Sequence, residues 1–194
     1  MLWIDFVNSH ARDPLGRKSP DDRLADDTWL RDLARRWELP PPRFAPQREL
    51  KRLRALRQLL WKIVRRLQNN QQLTDAQLRQ INRLLRRGRA DPVLLRQPQG
   101  YRLEVVAQGT AIERWQFAIA RSFAETMAEG KLARLKTCAN EDCNWVFYDS
   151  TRSRTRRWCA TSCGDLIKVR EFRERKKEEG RRKKAVGGRR EAGG

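Results

Sequence analysis

The sequence predicts an α+β protein that is mostly α: a helical N-terminal domain with a β-hairpin, a small four-cysteine finger and a basic C-terminal helix. Three observations support this class. Apolar residues recur every three or four positions over most of residues 27–130, which is the period of an amphipathic helix. A short stretch near residue 100 alternates in polarity, as a strand does. All four cysteines fall within residues 138–163.

This pattern predicts three parts along the chain. We expect an α-rich domain over residues 1–130, a finger over residues 131–177 and a basic disordered tail over residues 178–194. The tail is poor in apolar residues and rich in Lys, Arg, Glu and Gly, so it has little surface to bury on ordering.

The N-terminal region contains an apolar run, a loop and a short helix. Residues 3–7 are expected to form a strand or the start of a buried turn. Residues 13–16, Asp-Pro-Leu-Gly, predict a turn, and residues 17–27 a polar loop. A helix is expected over residues 27–36, and the prolines in residues 39–42 end it because proline cannot continue a helix.

Three further helices and a hairpin are expected before residue 130. The leucine stripe of residues 50–67 is interleaved with basic residues, which favours a core-facing helix with a solvated basic back. Residues 74–77 form a capping-box pattern that opens the next helix. Residues 93–107 predict a hairpin around Gln-Pro-Gln-Gly. A second capping box at residues 110–113 opens a long helix that Gly130 ends.

The four cysteines have the spacing of a metal site. Cys138 and Cys143 form one pair, Cys159 and Cys163 the other, with fifteen residues between the pairs. Each pair can place two thiolates on one knuckle, and the intervening segment lets both knuckles close on one tetrahedral ion. We predict one structural Zn²⁺ per chain, since four thiolates leave no open position for water. Disulfides, free thiols and an iron–sulfur cluster are the alternatives.

Composition indicates the partner and the compartment. The net charge is +20, and residues 131–194 hold 19 Lys and Arg against 9 Asp and Glu. This positive charge favours a protein that binds nucleic acid. The alternative is a basic, solvated surface that has no specific partner. The sequence opens without a secretory leader and has no apolar run long enough to span a membrane. We therefore expect a cytoplasmic, nucleoid-associated protein with no membrane partner.

The candidate nucleic-acid residues lie on both sides of the second cysteine pair. A bound metal would hold the arginines between the pairs in a fixed pose. A helix expected over residues 166–177 carries further basic residues and suits a DNA groove. The predicted contacts are Arg152, Arg154, Arg156, Arg157, Lys168, Arg170, Arg173, Arg175, Lys176 and Lys177. The alternative for single residues is stacking, as for Arg157 on Trp158, or pairing with Asp149 and Glu171.

Residues around the cysteines are expected to shape the finger. Residues 149–152 predict a turn, Gly164 a tight turn after Cys163, and Asp165 a helix cap. Trp158 is expected to cover the metal. The other residues expected to pack the finger from within are Trp145, Phe147, Tyr148, Ile167 and Val169.

No motif indicates an enzyme. His10 is the single histidine, and the chain has no phosphate-cradling glycine loop, no Gly-x-Ser-x-Gly elbow and no His-Glu-x-x-His. We predict no catalytic residue. The alternatives to DNA binding are an RNA- or ribosome-associated module and a sensor of an unidentified small-molecule effector. A buried cavity between the apolar faces of residues 50–67 and 112–127 would support the sensor.

Together these residues resemble a known family. Cys-Ala-Asn-x-x-Cys, the aromatic strand, the Ser-Arg-rich stretch, Arg-Trp-Cys and the Cys-Gly before a basic helix resemble the CGNR zinc finger over residues 138–177. That finger usually follows an ABATE-type domain in bacterial proteins, and Ile4-Asp-Phe-Val-Asn8 is similar to the signature that opens that domain. The resemblance implies a stress-linked transcription regulator that binds double-stranded DNA, with the four cysteines as zinc ligands. The naming tetrapeptide here reads Cys163-Gly164-Asp165-Leu166, so its usual arginine is missing.

Overall fold

The computed structural model describes residues 1–11, 21–42, 47–87, 90–130 and 132–191. The elements in chain order are α1 (Leu2–Val7), β1 (His10–Ala11), β2 (Asp21–Asp22), a 3₁₀ turn (Arg23–Ala25), α2 (Asp27–Arg36), α3 (Arg48–Gln68), α4 (Asp75–Arg87), β3 (Ala90–Gln97), β4 (Gly100–Ala107), α5 (Ala111–Ala128), a 3₁₀ turn (Leu132–Arg134), β5 (Leu135–Thr137), β6 (Val146–Tyr148) and α6 (Thr161–Glu191). The strands form three antiparallel pairs, β1–β2, β3–β4 and β5–β6. The fold is therefore α+β and mostly α, as predicted.

Two sequence predictions concern the loop after α1 and the membrane. The turn predicted at residues 13–16 and the first part of the loop predicted at residues 17–27 lie outside the described residues. Within the described ranges, none of the helices combines the length and apolar character that crossing a bilayer requires.

The first apolar run is a helix, neither the strand nor the turn expected from it. In α1, Trp3 and Phe6 are fully buried three residues apart, which places them on one helix face. The indole N–H of Trp3 donates to Thr126 Oγ1 at 2.9 Å, and its ring meets Phe123 edge-on with centroids 5.3 Å apart. Five residues are too few to show a helical period, so packing against α5 decides the conformation.

The helices predicted over residues 27–36 and 50–67 are confirmed as α2 and α3. Fully or nearly fully buried side chains form the core, among them Leu24, Leu30, Leu33, Leu53, Leu60, Ile63, Val64, Trp115, Ile119 and Phe123. One residue departs from the expected solvated back of α3. Arg57 is only 8% exposed and donates to Ser9 Oγ at 2.9 Å and to the Asp22 carboxylate at 2.6 Å.

Both predicted capping boxes form and set the starts of α4 and α5. The backbone N–H of Thr74 donates to Gln77 Oε1 at 2.9 Å, and the Gln77 N–H donates back to Thr74 Oγ1 at 3.2 Å. Thr110 and Glu113 make the equivalent exchange before α5. Each box satisfies N–H groups that the first helical turn leaves without partners.

The predicted hairpin is confirmed as β3–β4, with Leu94 opposite Leu103. One of its faces carries apolar residues that the rest of the described chain does not cover. Tyr101 and Leu103 are 67% and 69% exposed, and Val105 is 56% exposed. The hairpin therefore adds little to the main core.

The short strands β5 and β6 pack on the N-terminal core, although the sequence assigned them to the finger. Leu135 and Val146 belong to the same buried cluster as the helices. The side chain of Asn8 donates to the Val146 carbonyl at 2.8 Å, and its Oδ1 accepts the Val146 N–H at 2.9 Å. One amide side chain thus pairs with β6 as a neighbouring strand would and joins both parts of the chain.

Candidate zinc centre and nucleic-acid interface

The four cysteines converge on one point. The Sγ atoms of Cys138, Cys143, Cys159 and Cys163 all lie within 4.8 Å of one another. The separation is 3.6 Å between Cys143 and Cys159 and 3.7 Å between Cys159 and Cys163. A zinc ion bound by four thiolates at about 2.3 Å places the sulfurs about 3.8 Å apart at the corners of a tetrahedron. The cluster has the dimensions of such a site.

A tight turn built on Asn140 presents the first cysteine pair. Asn140 is fully buried, and its backbone carbonyl accepts the Cys143 N–H at 2.9 Å. Asn144 has φ +53°, a left-handed conformation that Asn adopts more readily than most residues. The chain then turns back, and the Cys138 N–H donates to the Trp145 carbonyl at 2.7 Å. The two asparagines shape the first knuckle.

The second cysteine pair leads into a helix rather than a turn. α6 begins at Thr161, so Gly164 lies within it and Asp165 is not its cap, contrary to the sequence interpretation. Gly164 is explained by close packing: a Cβ at this position would lie 3.2 Å from Cε3 of Trp158. Trp158 itself packs against the buried cysteines, as predicted. A larger residue at position 164 would therefore push on the aromatic cover of the site.

The thiols influence one another strongly. A hydrogen bond with the Cys159 thiol lowers the pKa of Cys143 to about 6. The same contact raises the pKa of Cys159, and burial raises the pKa of Cys163 to about 12. One thiolate thus opposes ionisation of its neighbours, because like charges at this separation repel. A divalent cation at the centre offsets this repulsion, so the donor set fits zinc in a closed, structural role.

Lys136 and Asp149 fix the arginine-rich loop from inside. Asp149 is fully buried and accepts from Lys136 Nζ at 2.7 Å and from the N–H groups of Thr151 and Arg156 at 3.0 Å each. Lys136 Nζ also donates to the backbone carbonyls of Arg154 and Arg156. The Lys136 hydrogen bond, followed by that of Thr151, holds the pKa of Asp149 well below its usual range. Backbone groups of the loop therefore point inward, towards Lys136 and Asp149. The hydrogen bond from the Thr151 N–H to Asp149 closes the turn predicted at residues 149–152.

The loop arginines divide into three that face solvent and one that points inward. Arg152 and Arg154 are exposed, and Arg157 is exposed with its guanidinium 5.4 Å from the centroid of the Trp158 ring. Arg156 is only partly exposed. Its Nε donates to the Trp158 carbonyl at 2.8 Å, and its terminal nitrogen donates to the Cys159 carbonyl. The polar atoms of Arg156 are therefore used within the finger.

Residues 171–181 of α6 are all exposed. Arg170 pairs with Asp142 of the first knuckle at 2.6 Å rather than with Glu171, which ties the helix to the finger. Val169 is 45% exposed, so its expected packing on the metal core is wrong. The other predicted contacts on the helix are all exposed, namely Lys168, Arg173, Arg175, Lys176 and Lys177.

The helix is longer than the sequence indicated. It runs from Thr161 to Glu191, whereas residues 166–177 were expected to be helical and residues 178–194 disordered. Its 31 residues correspond to a length of about 46 Å. Lys, Arg and Glu are good helix formers even where no apolar face is buried. The prediction of a disordered tail considered only the lack of apolar residues and not this helix propensity.

Two residues with clear structural roles, Asn8 and Lys136, were not identified from the sequence, and a third, Asp149, was expected only at a turn or as the partner of an arginine. Asn8 lies in the quoted signature, but no role was predicted for it. Lys136 and Asp149 are 13 positions apart, and their side chains meet because β5 and β6 pair with Leu135 opposite Tyr148. The one available signal was Asp149 at the head of a Ser-Thr turn, where a carboxylate accepts local N–H groups.

Comparison with known families agrees with this geometry. The family described as "CGNR zinc finger" matches residues 134–176. The family described as "Putative stress-induced transcription regulator", ABATE, matches residues 1–130. No curated protein matches the chain. The finger match and the cluster of four cysteines agree on one structural zinc ion per chain. The chain belongs to the ABATE family and carries a CGNR zinc finger after its N-terminal domain.

Proposed function

We propose that this protein is a DNA-binding transcription regulator whose binding surface is organised by a zinc ion on Cys138, Cys143, Cys159 and Cys163. One observation carries the proposal. The solvent-facing arginines of the loop lead directly into Cys159, and the exposed basic helix α6 begins two residues later, at Thr161. A single four-cysteine zinc site would therefore anchor both basic elements.

The loop is suited to phosphate contacts. Arg152, Arg154 and Arg157 are exposed on a backbone that Lys136 and Asp149 hold in place. A guanidinium fork matches two phosphate oxygens, and a side chain on a fixed backbone loses less freedom on binding. Loop contacts of this kind add affinity and salt dependence without reading sequence.

The helix is suited to a groove. Residues 171–181 of α6 are all exposed, and the major groove of B-DNA accepts one α-helix. In the proposal the loop and the helix face the same side of the molecule. The proposed helix contacts are Lys168, Arg173, Arg175, Lys176 and Lys177. Arg156 and Arg170 have partners within the finger and are proposed to position it.

The rest of the chain has a supporting part in the proposal. Residues 1–130 form the body that carries the finger of residues 131–177. The boundary near residue 130 stays a proposal, and Lys131 lies outside the described residues. The proposed place of action is the nucleoid in the cytoplasm, and no catalytic residue is assigned.

A competition experiment separates this proposal from the RNA-binding alternative. Fluorescence anisotropy at one salt concentration would compare the duplex upstream of the gene, a random duplex of equal length and a structured RNA of equal charge. We expect the upstream duplex to bind at least about tenfold more tightly than the other two, since specific sites usually exceed non-specific ones by far more. Equal binding of all three, or preference for the RNA, would contradict the proposal.

A further inference from the structure

A cavity of about 330 Å³ opens where the N-terminal domain meets the first zinc knuckle. Arg57, Gln58, Trp61 and Lys62 line it from α3 and no residue of α5 does, whereas the sensor hypothesis expected a cavity between the apolar faces of residues 50–67 and 112–127. Leu60 of α3 and Ile119 of α5 are fully buried in the core. The walls come from three parts of the chain: residues 7–10 at the end of α1 and the start of β1, the middle of α3, and Asn144 of the knuckle.

The lining of this cavity is cationic and partly aromatic. Among the described residues no Asp or Glu lines it, whereas Arg57 and Lys62 supply two cations, and the imidazole of His10 and the indole of Trp61 complete this wall. The guanidinium of Arg65, which does not line the cavity, lies 5.4 Å from the centroid of the Trp61 ring. A flat apolar wall beside cationic groups complements a planar anion.

Among the described residues, the positive charge around Arg57 exceeds the negative charge that pairs with it. Arg57 is 8% exposed and donates to Asp22 at 2.6 Å, but Arg54 donates to the same carboxylate at 2.6 Å. One carboxylate therefore serves two guanidinium groups, and Lys62 adds a further cation. The Arg57 nitrogen that donates to Asp22 also donates to Oγ of the fully buried Ser9 at 2.9 Å, so the position of the guanidinium is set before any ligand arrives.

The cavity also touches the groups that join the two parts of the molecule. Asn8 lines it and makes both hydrogen bonds to Val146 of β6. Asn144 lines it from the left-handed turn directly after Cys143. A ligand in this cavity would therefore contact the N-terminal domain and the zinc knuckle at the same time.

We infer that this cavity binds a small aromatic carboxylate, with the ring against Trp61 and the carboxylate at Arg57 and Lys62. The site contacts both the domain and the knuckle that leads to the basic loop. The inference does not depend on DNA binding, because ligand binding here is measured on the zinc-loaded protein alone.

Titration of the ¹⁵N-labelled full chain with benzoate, followed by amide spectra, tests the assignment. We expect saturable shifts at Trp61, Asn8 and Asn144 with a dissociation constant of about 1 mM, an ordinary value for so small a probe. Acetate has the charge without the ring, and benzamide has the ring without the charge. Both should bind at least about tenfold more weakly, since each lacks one of the two features that the cavity complements.

Two variants of α3 give a matched control. Lys62→Gln removes a cation from the cavity, and Lys51→Gln removes one from the exposed part of the same helix outside it. Benzoate affinity should fall about three- to tenfold in the first variant and stay unchanged in the second. Equal affinities in the two variants, equal binding of acetate, or shifts spread over the basic surface without saturation would overturn the assignment.

Discussion

Lys136 illustrates how one side chain can set the shape of the proposed binding surface without belonging to it. Its ammonium group lies under the loop, shared between the Asp149 carboxylate and two backbone carbonyls. Because the loop carbonyls turn inward to reach it, Arg152 and Arg154 are left on the outside. A lysine in a short strand gives no such signal in the sequence, since the partners come from residues 13 to 20 positions away.

Replacing Lys136 with Met keeps much of the side chain but removes every donor to the loop. We expect duplex affinity to fall about tenfold, because ordering released arginines on binding costs about 0.5–1.5 kcal/mol each. Anisotropy measures the affinity, and elemental analysis should still find one zinc per chain. Lys51→Met removes the same charge from the exposed back of α3 and should change affinity by less than about threefold. Equal losses in the two variants would assign the effect to charge alone.

Gly164 and Gly180 offer a second residue-level comparison within one helix. At Gly164 an added Cβ would meet the Trp158 ring at 3.2 Å, whereas at Gly180 it would meet nothing within 4 Å. Gly164→Ala should lower stability by about 1–3 kcal/mol through overpacking and weaken zinc retention against a chelator. Gly180→Ala should be neutral or gain up to about 1 kcal/mol from helix propensity. Thermal unfolding with a chelator titration measures both. A stable, zinc-retaining Gly164→Ala variant would disprove the role given to the Trp158 contact.

At the scale of elements, β6 depends on a side chain for part of its pairing. Asn8 satisfies both the N–H and the carbonyl of Val146, a residue that is almost fully buried. Asn8→Ala would leave both groups without this partner, at a cost of about 1–3 kcal/mol for each buried group left unsatisfied. We expect a matching loss in urea unfolding together with weaker zinc retention, because β6 leads out of the first knuckle. Unchanged zinc retention would mean that the two parts are not coupled through this residue.

We expect the helix α6 to depend on the metal more than the other helices do. It is anchored at Cys163 and through the Arg170–Asp142 pair, and residues 171–181 are all exposed. Chelation should therefore abolish duplex binding and cost at most the circular dichroism of this 31-residue helix, while α1 to α5 keep their buried faces. Collapse of the whole helical signal would show that β5 and β6 are essential to the N-terminal core. The boundary near residue 130 would then be wrong.

For the whole molecule, local patterns predicted the long helices, the hairpin and the cysteine cluster. The apolar stripes, the two capping boxes and the cysteine spacing are each contained in one stretch of sequence, so they could be identified without the fold. The remainder depends on contacts between distant segments. Trp3 becomes helical against α5, Arg57 is buried by Asp22 and Ser9, and β5 and β6 join a core formed mainly by other elements.

A chain of net charge +20 attracts DNA over much of its surface. Non-specific attraction by the whole surface is therefore the main alternative to DNA binding by the finger. The proposal requires binding to concentrate on the finger. The salt dependence of duplex affinity tests this in two triple variants that lose equal charge. One replaces Arg152, Arg154 and Arg157 with Ala, and the other replaces the exposed Arg79, Arg83 and Arg86 of α4.

Each phosphate contact contributes about 0.9 to the slope of log affinity against log salt concentration. We predict that the loop variant, with its zinc retained, loses about 2.7 from this slope and that the α4 variant loses less than about 1. Equal slopes in the two variants, or an unchanged slope in the loop variant, would contradict the claim that the zinc-organised arginines form the DNA-binding surface.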